Sequence, residues 1–407
     1  MLRIGIDTTL AGIRESERGG VYQYLNQLLS HTTALTHGVY WKLMFALPHP
    51  RHRESIKAFA DSLGARDTTV HRGWVPLRVL RRVPLPVECF TGALDVFHAP
   101  AHLSLNSRCP SIVTIHDLAY LGDRGGSSAP AELNRDERAQ WQIRRRFFDE
   151  IARHTERSLN RATCVIAVSQ ATRQAVLQTF SVAAEKVFVV PLGVRDICRH
   201  IPSADETRRV LARYGLNRPY LFYLGGLDPN KNLATLLEGY ALYRQRGGKA
   251  GLAIAGQSAF YGTVLKRLSD RLGLGDVCTF LGFVPDSELP VLYRSASAVV
   301  MPSPLEGFGL PALEAMACGV PVIAANAGAL PEVTGDCAVT VDADSAEAFC
   351  DAMLRIQEDR SLVAALSQRG QQRAAGFTWR RSAEQTLAVY ARAMGQPVER
   401  LLAAAPA

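Results

Sequence analysis

Short apolar runs typical of strands alternate with amphipathic runs typical of helices along most of the chain. Parallel strands need a long crossover, usually a helix, so this alternation predicts doubly wound parallel sheets with helices on both faces. We therefore expect an α/β fold. The predicted strands are Leu2–Ile6, Trp41–Leu47, Val96–His98, Ser111–Ile115, Cys164–Val168, Tyr220–Leu224, Gly251–Ala255, Cys278–Phe280, Ala298–Pro302 and Val322–Ala324. The predicted helices are Gly20–Thr32, Asp136–Leu159, Leu233–Arg246, Tyr261–Leu272, Asp286–Ser295, Pro311–Ala317, Ser345–Glu358 and Phe377–Met394.

The length of 407 residues exceeds what one ordinary hydrophobic core supports and indicates two domains. Pro202 and neighbouring polar residues interrupt the pattern near 194–219, so the boundary is expected there. We predict Rossmann-like domains over residues 1–200 and 201–380, with a cleft between them as a place for a ligand. A C-terminal helix and tail at residues 381–407 has the option of packing back on the N-terminal domain.

The positive charge is concentrated in the first half of the chain. Residues 1–200 contain 26 Lys and Arg against 18 Asp and Glu, whereas residues 201–407 contain 20 of each. Such an imbalance indicates an anionic partner for the first half, and the options are a lipid-phosphate acceptor, an anionic membrane surface or nucleic acid. Arginines that only solvate exposed helices explain the excess equally well.

The apolar runs and the cysteines bear on the compartment. No apolar run approaches the length that spans a bilayer, and the first residues resemble a strand more than a signal peptide. The eight cysteines show no CxxC pair and no His–Cys cluster, as expected for a reducing compartment. We therefore expect a cytoplasmic protein, with peripheral attachment to the inner face of the membrane as an option.

The segment EGFGLPALE, from Glu306 to Glu314, places two carboxylates around a glycine turn. Its glycines let the backbone approach a ligand closely, and Pro311 suits the first turn of a helix. A helix N-terminus favours phosphate, whereas carboxylates accept hydrogen bonds from hydroxyl groups. The spacing of two glutamates is common by itself, but the sequence Gly-Phe-Gly-Leu-Pro between them is specific. A ligand that carries both phosphates and hydroxyls is a nucleotide sugar.

With that sequence between its glutamates, the segment resembles the EGFG[LF]P…E signature of the retaining glycosyltransferases of family 4. The resemblance implies a GT-B architecture, in which two Rossmann-like domains face a central cleft, the first binding the acceptor and the second the nucleotide sugar. It also implies that Glu306 contacts a sugar hydroxyl and Glu314 the ribose hydroxyls, with backbone N–H groups between them on sugar and phosphate. The donor-binding residues implied here are Glu306, Gly307, Phe308, Gly309, Leu310 and Glu314.

A second glycine turn, Gly225-Gly226, follows a predicted strand and precedes Lys231, whose ammonium can reach a diphosphate as a point charge. Such turns are common, but the strand ends of one open sheet line one crevice, which brings this turn near Glu306. The spacing is not the dinucleotide-binding fingerprint. The turn resembles the family pattern G-[RTS]-x-x-x-x-K-[NG]. Family members carry an arginine at the position of Gly226 or of Asn230, so the phosphate clamp is expected to be reduced to Lys231.

A third turn, Gly19-Gly20, precedes the first predicted helix, and its N–H groups could contact a phosphate. A plain loop-to-helix junction explains these glycines on their own. The turn resembles the family's G-G-[VI]-x-x-Y segment, which faces the donor diphosphate and the acceptor. The preceding loop contributes Arg14 and Arg18.

Two further strand ends resemble family segments. His116 and Asp117 lie in a stretch similar to VVT[IV]HDL, which implies that His116 contacts the donor sugar or positions the acceptor; Asp117 is expected to hold the turn. By resemblance, the backbone at Phe283 and Val284 meets the nucleobase. The run Trp141–Phe148 interleaves arginines with aromatics. A solvated helix face or a lipid-surface contact explains that run more economically than nucleic-acid binding.

Together the resemblances imply a retaining hexosyltransferase with His116, Lys231 and Glu306 as catalytic residues. No DxD-type aspartate pair is apparent, so we expect no metal and no cofactor. The segments TIHDLAYL and LDPNKNL look like those of bacterial mannosyltransferases that use GDP-mannose, which favours that donor and a glycan or lipid-linked glycan acceptor. Two alternatives stay open: a nucleotide-sugar epimerase or hydrolase of the same architecture, and a catalytically silent nucleotide-sugar-binding protein.

Overall fold

The computed structural model describes residues 2–9, 19–45, 59, 61, 68–72, 85–102, 104–122, 133–216, 219–257 and 261–402. Within these ranges the chain forms two parallel sheets, which confirms the predicted α/β class. Among the helices described, none combines the length and the apolar character needed to cross a membrane.

The first sheet has seven strands in the order β3-β2-β1-β4-β5-β6-β7, and every neighbouring pair is parallel. From β1 the strand order runs outward to β3 and then returns to the other side of β1 at β4, so the topological switch point lies between β1 and β4. The strands are β1 Leu2–Asp7, β2 Val39–Phe45, β3 Thr68–Arg72, β4 Val96–Ala99, β5 Ser111–Ile115, β6 Cys164–Ala167 and β7 Val187–Val189.

The second sheet repeats this arrangement with six strands in the order β10-β9-β8-β11-β12-β13, again all parallel. Its switch point lies between β8 and β11. The strands are β8 Tyr220–Leu224, β9 Gly251–Ala255, β10 Cys278–Gly282, β11 Ala298–Met301, β12 Val322–Ala325 and β13 Ala338–Val341. Because ligands of open α/β sheets bind at the carboxyl ends of strands beside the switch point, the loops after β8 and β11 mark the place to look for a site.

Helices connect the strands of both sheets. Several of them begin at a side chain that accepts a hydrogen bond from a backbone N–H of the first turn, as at Ser169, Ser203, Ser345, Asp359 and Thr378. The α-helices are Gly20–Leu35, Glu88–Thr91, Ala119–Gly122, Arg135–Arg161, Gln170–Thr179, Ala204–Arg213, Leu233–Gln245, Tyr261–Arg271, Leu289–Ser295, Leu310–Ala317, Leu330–Thr334, Ala346–Glu358, Arg360–Ala374 and Trp379–Ala393.

By its internal contacts the chain divides into two compact units. The first unit comprises residues 1–116, 149–193 and 378–407, and the second comprises residues 117–148 and 194–377. The change at 148–149 falls inside the helix Arg135–Arg161. The domain bounds expected from the sequence, 1–200, 201–380 and 381–407, stay predictions about independently folding parts.

Each unit has its own hydrophobic core. In the first unit, residues of the C-terminal helix such as Leu387 and Tyr390 are fully buried with Ile4, Ile6 and Ile166 of the sheet. In the second unit, Leu133 and Trp141 are buried in the core that the sheet forms with its helices. The stretch 133–141, which precedes the second sheet by almost 80 residues, therefore contributes to the second core.

Candidate functional site

The loop between β11 and the helix Leu310–Ala317 carries Glu306 and is fixed by two glycines. Gly309 caps the helix with a φ of 92°, and a Cβ at that position would lie 2.7 Å from the side chain of Leu330. Gly328, in the turn after β12, has no room for a Cβ because the backbone of Glu306 lies against it. The N–H of Ala329 donates to the carbonyl of Glu306 over 2.8 Å. This close packing holds Glu306 at the end of β11.

Lys231 and Glu306 meet at this edge of the sheet. The Lys231 Nζ donates to the Glu306 Oε2 over 2.8 Å, and the two side chains are 21% and 16% exposed. Burial alone would lower the pKa of Lys231, but the charge and hydrogen bond of Glu306, with the charges of Asp117 and Asp228, raise it above its ordinary value. The lysine is therefore a fixed cation over the whole physiological range of pH.

A short turn positions this lysine. Residues Pro229–Lys231 form a 3-10 turn that ends at Asn232, the one residue other than glycine with a positive φ among those described. The Asn232 side-chain amide donates to the carbonyls of Pro302 and Ala343 over 3.1 and 2.7 Å. These bonds tie the loop after β8 to the loops after β11 and β13, which keeps Lys231 beside Glu306.

Gly225 and Gly226 lie where the loops after β8 and β9 touch. The N–H of Gly225 donates to the carbonyl of Ala255 over 3.1 Å. A Cβ on Gly256 would come within 1.8 Å of the Gly225 carbonyl oxygen, so only glycine fits there. A Cβ on Gly225 would lie 2.6 Å from the hydroxyl oxygen of Tyr223, so packing within the second unit accounts for Gly225 as well. A role for Gly225 in donor binding stays a prediction.

Glu314 has a different environment from Glu306. Its side chain is almost fully buried. Its Oε1 accepts a hydrogen bond from the Nε of Arg195, and its Oε2 accepts one over 3.0 Å from a terminal nitrogen of the same guanidinium. The Tyr293 hydroxyl donates to Oε2 over 2.8 Å, and Arg195 also donates to Asp286 over 2.8 Å. A carboxylate has about four acceptor positions, so these three hydrogen bonds leave one position on Oε1.

Burial opposes the charge of Arg195, but the carboxylates of Glu314 and Asp286 hold the pKa of this guanidinium well above its ordinary value. Burial and the charge of Glu314 likewise raise the pKa of Tyr293 well above its ordinary value, so that its hydroxyl remains a donor. Sequence reasoning missed Arg195 because no local pattern marks it and its partner lies 119 positions away.

The remaining predicted residues of the second unit lie near strand ends. Phe283 is half-buried and Val284 buried just after β10, and Phe308 is buried against the ring of Phe377. The carboxylate of Asp117 accepts the N–H of Ala119 over 3.0 Å, as expected of a residue that holds its turn.

His116, Gly19 and Gly20 belong to the first unit. The His116 Nε2 donates to the carbonyl of Pro100 over 2.8 Å, and the ring packs edge-on against Tyr24 with 4.7 Å between centroids. These contacts fix the ring at the end of β5. A Cβ on Gly19 or Gly20 would meet no described atom within 4 Å, so packing in this part of the chain does not require glycine there. The predicted Arg14 and Arg18 lie outside the described residues.

The structure thus brings Lys231 together with Glu306 and places Glu314 as the fifth residue of the next helix. In the described part of the chain, no three Asp, Glu, His or Cys side chains cluster as a metal site. The roles of individual residues toward a ligand remain predictions.

Comparison with known proteins gives a family. The model for Glycosyltransferase Family 4 matches residues 18–196, and the model for glycosyl transferases group 1 matches residues 205–373. O-antigen chain mannosyltransferase B from Escherichia coli is 30% identical over 330 residues, which cover 77% of this chain and 82% of that protein.

Two solved structures share the fold. Sucrose-phosphate synthase from Thermosynechococcus elongatus matches with a TM-score of 0.69 at 22% identity, covering 97% of this chain and 100% of that one. HepE from Anabaena, solved with UDP and glucose, matches with a TM-score of 0.68 at 19% identity, covering 96% and 100%. By its relative, its two family matches and its GT-B fold, the chain belongs to the family 4 glycosyltransferases, within glycosyl transferases group 1.

Proposed function

We propose that this glycosyltransferase moves mannose from GDP-mannose to a glycan or lipid-linked glycan acceptor and retains the configuration at the anomeric carbon. The observation that carries the proposal is the ion pair of Lys231 and Glu306, which lie in the segments that follow β8 and β11, the strands on the two sides of the switch point. The name of the Escherichia coli relative supports mannose. The UDP bound in the Anabaena structure makes UDP-sugars the competing donors.

The pair offers two groups that suit a nucleotide sugar. As the bond between the anomeric carbon and the phosphate oxygen breaks, negative charge develops on the leaving diphosphate, and the Lys231 ammonium stabilises it. The Glu306 carboxylate accepts a hydrogen bond from a sugar hydroxyl, and Oε1 is the oxygen that Lys231 does not use. The acceptor hydroxyl attacks from the face that the diphosphate leaves, and its proton passes to the departing phosphate oxygen.

The other assignments complete the proposal. Glu314 binds the ribose through the acceptor position on Oε1, and the backbone at Phe283 and Val284 meets the base. The first unit binds the acceptor, with His116 as its contact to the reacting sugars and with Gly19 and Gly20 as phosphate contacts.

We also propose that transfer needs no metal ion. The Lys231 ammonium, whose pKa is raised, supplies positive charge to the leaving group from the protein itself. A lipid-linked acceptor would place the enzyme at the inner face of an anionic membrane. Exposed Arg145 and Arg146, beside Ile143 with 67% exposure, are the residues of the helix Arg135–Arg161 that suit such a surface.

A ligand panel followed by a transfer assay tests the proposal. Thermal unfolding with GDP-mannose, UDP-glucose and a dTDP-sugar should show the largest rise in Tm with GDP-mannose, because a ligand that binds only the folded state stabilises it. Radiolabelled mannose should then pass to a membrane glycolipid extract, with EDTA present. A rise with UDP-glucose alone would replace the donor, and donor loss without any acceptor would indicate a hydrolase. Dependence on an added divalent ion would contradict the metal-free reaction.

A further inference from the structure

The charges around Lys231 do not favour a diphosphate by themselves. Three carboxylates, those of Glu306, Asp117 and Asp228, act on this one ammonium and raise its pKa. A nucleoside diphosphate that approaches the lysine therefore meets more negative than positive charge. Binding at this place requires at least one more cation.

Arg144 is a cation held beside the same loop. One terminal nitrogen of its guanidinium donates to the Asp228 Oδ1, and the side chain is 17% exposed. The guanidinium lies over the ring of Phe148, with 4.8 Å from its central carbon to the ring centroid. The aromatic face and the carboxylate together restrict the orientation of the guanidinium.

Asp228 joins this arginine to the glycine turn. The other oxygen of its carboxylate, Oδ2, lies 3.1 Å from the point where a Cβ on Gly226 would be. Gly226 is one of the two positions at which the sequence departs from the arginine-bearing family pattern. The space beside Gly226 is thus occupied by the Asp228 carboxylate, whose other oxygen accepts a hydrogen bond from Arg144.

The hydrogen bonding of Arg144 is incomplete. Its Nε is buried, and among the described atoms it has no hydrogen-bond partner. The same holds for the Oδ1 of Asn230, the second position at which the family arginine is absent. A buried donor without an acceptor is costly, and a guanidinium with an unused N–H can take a further oxygen, for which phosphate is well suited.

We propose that Arg144, held by Asp228 beside Gly226, is the second cation of the donor diphosphate site and replaces the arginine that positions 226 and 230 lack. The inference rests on the proposed function, because it concerns how the same site holds a nucleoside diphosphate. Lys231 then contacts the diphosphate from the Glu306 side and Arg144 from the Asp228 side.

A purely structural role for Arg144, in fastening residues 133–148 to the second unit, is the competing explanation. That stretch has other attachments: Arg267 donates two hydrogen bonds of 2.8 Å to Glu137, and Leu133 and Trp141 are buried in the core. Loss of Arg144 should therefore leave the stretch in place, and Arg267→Met provides a matched control that breaks a structural ion pair in the same stretch.

Calorimetric titration with GDP and GMP, and in parallel with UDP and UMP, separates the explanations. Arg144→Met should weaken binding of the diphosphate about ten- to hundredfold, the effect of one hydrogen bond to a charged group. The monophosphate should change by less than about threefold, and Arg144→Lys should recover part of the diphosphate affinity. Arg267→Met breaks a structural ion pair in the same stretch and should retain diphosphate affinity to within about threefold.

Equal losses in Arg144→Met and Arg267→Met, or an equal loss for diphosphate and monophosphate, would overturn the inference in favour of a structural role for Arg144. If the wild type binds GDP or UDP and Arg144→Met binds it with the same affinity, the inference is overturned and the proposed function stands. A wild-type protein that binds neither GDP nor UDP would overturn both.

Discussion

Glu314 and Arg195 form a two-point ion pair in the interior of the second unit, with both side chains less than a tenth exposed. Arg195 lies at the start of this unit's main segment, and Glu314 lies on the helix that follows the glycine turn. The carboxylate proposed to bind ribose is thus held by a residue that directly follows the first unit in sequence.

Removing the arginine should destabilise the second unit. Arg195→Met leaves the Glu314 carboxylate buried without a counter-charge, which costs about 3–5 kcal/mol. The urea midpoint should fall markedly, and Arg195→Met/Glu314→Leu should recover most of the loss. Arg199→Met is the control, because Arg199 and its partner Asp196 are both largely exposed, so that its midpoint should hardly move. An unchanged midpoint in Arg195→Met would contradict the buried pair.

Glu306→Gln should abolish transfer while the protein stays folded. The amide keeps the shape of the side chain but loses the charge that holds Lys231 and accepts the sugar hydroxyl. We expect kcat to fall by about a hundredfold or more, the effect of one electrostatic group in a transition state. The Tm measured alongside should stay within a few degrees. Near-normal turnover would refute the assignment of Glu306.

Lys231→Ala should weaken the binding of GDP strongly, because the diphosphate then faces Glu306 without an intervening cation. The double variant Lys231→Ala/Glu306→Gln should bind GDP more tightly than Lys231→Ala alone, since it removes the repulsion between the Glu306 carboxylate and the diphosphate. Calorimetry on the two single variants and the double variant gives the coupling. Additive effects would show that the ion pair and the diphosphate site are separate.

His98 should make the first unit sensitive to acid. Its ring lies fully buried between the Tyr390 hydroxyl at 2.6 Å and the Thr114 hydroxyl at 2.8 Å. Burial, with a smaller effect of the charge of His116, lowers the pKa of His98 from 6.5 to about 3. The unfolded chain binds a proton below pH 6.5 that the folded chain does not bind until about pH 3. Between about pH 6.5 and pH 3 the free energy of unfolding therefore decreases as the pH is lowered, by up to about 1.4 kcal/mol per pH unit.

Urea unfolding at pH 7.5 and pH 5.0 checks this dependence. His98→Gln should be less stable than the wild type at pH 7.5, because it loses hydrogen bonds, but its midpoint should change less between the two pH values. The same pH dependence in both proteins would assign the effect to other groups.

Arg145→Glu/Arg146→Glu should reduce sedimentation with vesicles that contain anionic lipid. Both side chains are exposed, whereas the neighbouring Arg144 is mostly buried against Asp228 and is left unchanged. Arg208→Glu/Arg209→Glu, an exposed pair on another helix, makes the same charge change elsewhere. Equal binding by the wild type and both variants would exclude the helix Arg135–Arg161 as a membrane contact.

The local part of the site was predictable, because single segments encode it. The glycines and Pro311 place a helix start after Glu306, and the apolar run of β8 places Lys231 after a strand end. The strands β3, β7 and β13 were not predicted, since β7 and β13 have three and four residues and β3 is rich in polar residues. Runs this short carry little periodicity.

The contacts across long sequence separations were not predictable. Arg195 pairs with Glu314 across 119 positions, and Arg144 pairs with Asp228 across 84 positions. Nothing in the sequence of the run Trp141–Phe148 distinguishes an arginine that pairs with a loop from an arginine that faces solvent. The burial of Leu133 and Trp141 with the second sheet depends on packing in the same way.

The division of the chain into interleaved segments limits how the protein can be engineered. A fragment that covers only residues 194–377 would lack Leu133, Trp141 and Glu137, which belong to its core and its ion pairs. A fragment that ends before residue 378 would lose the helix that buries Leu387 and Tyr390 in the first unit. Chimeras meant to exchange donor specificity between relatives therefore need five joined segments. Residues 117–148 and 194–377 come from one parent, and residues 1–116, 149–193 and 378–407 come from the other.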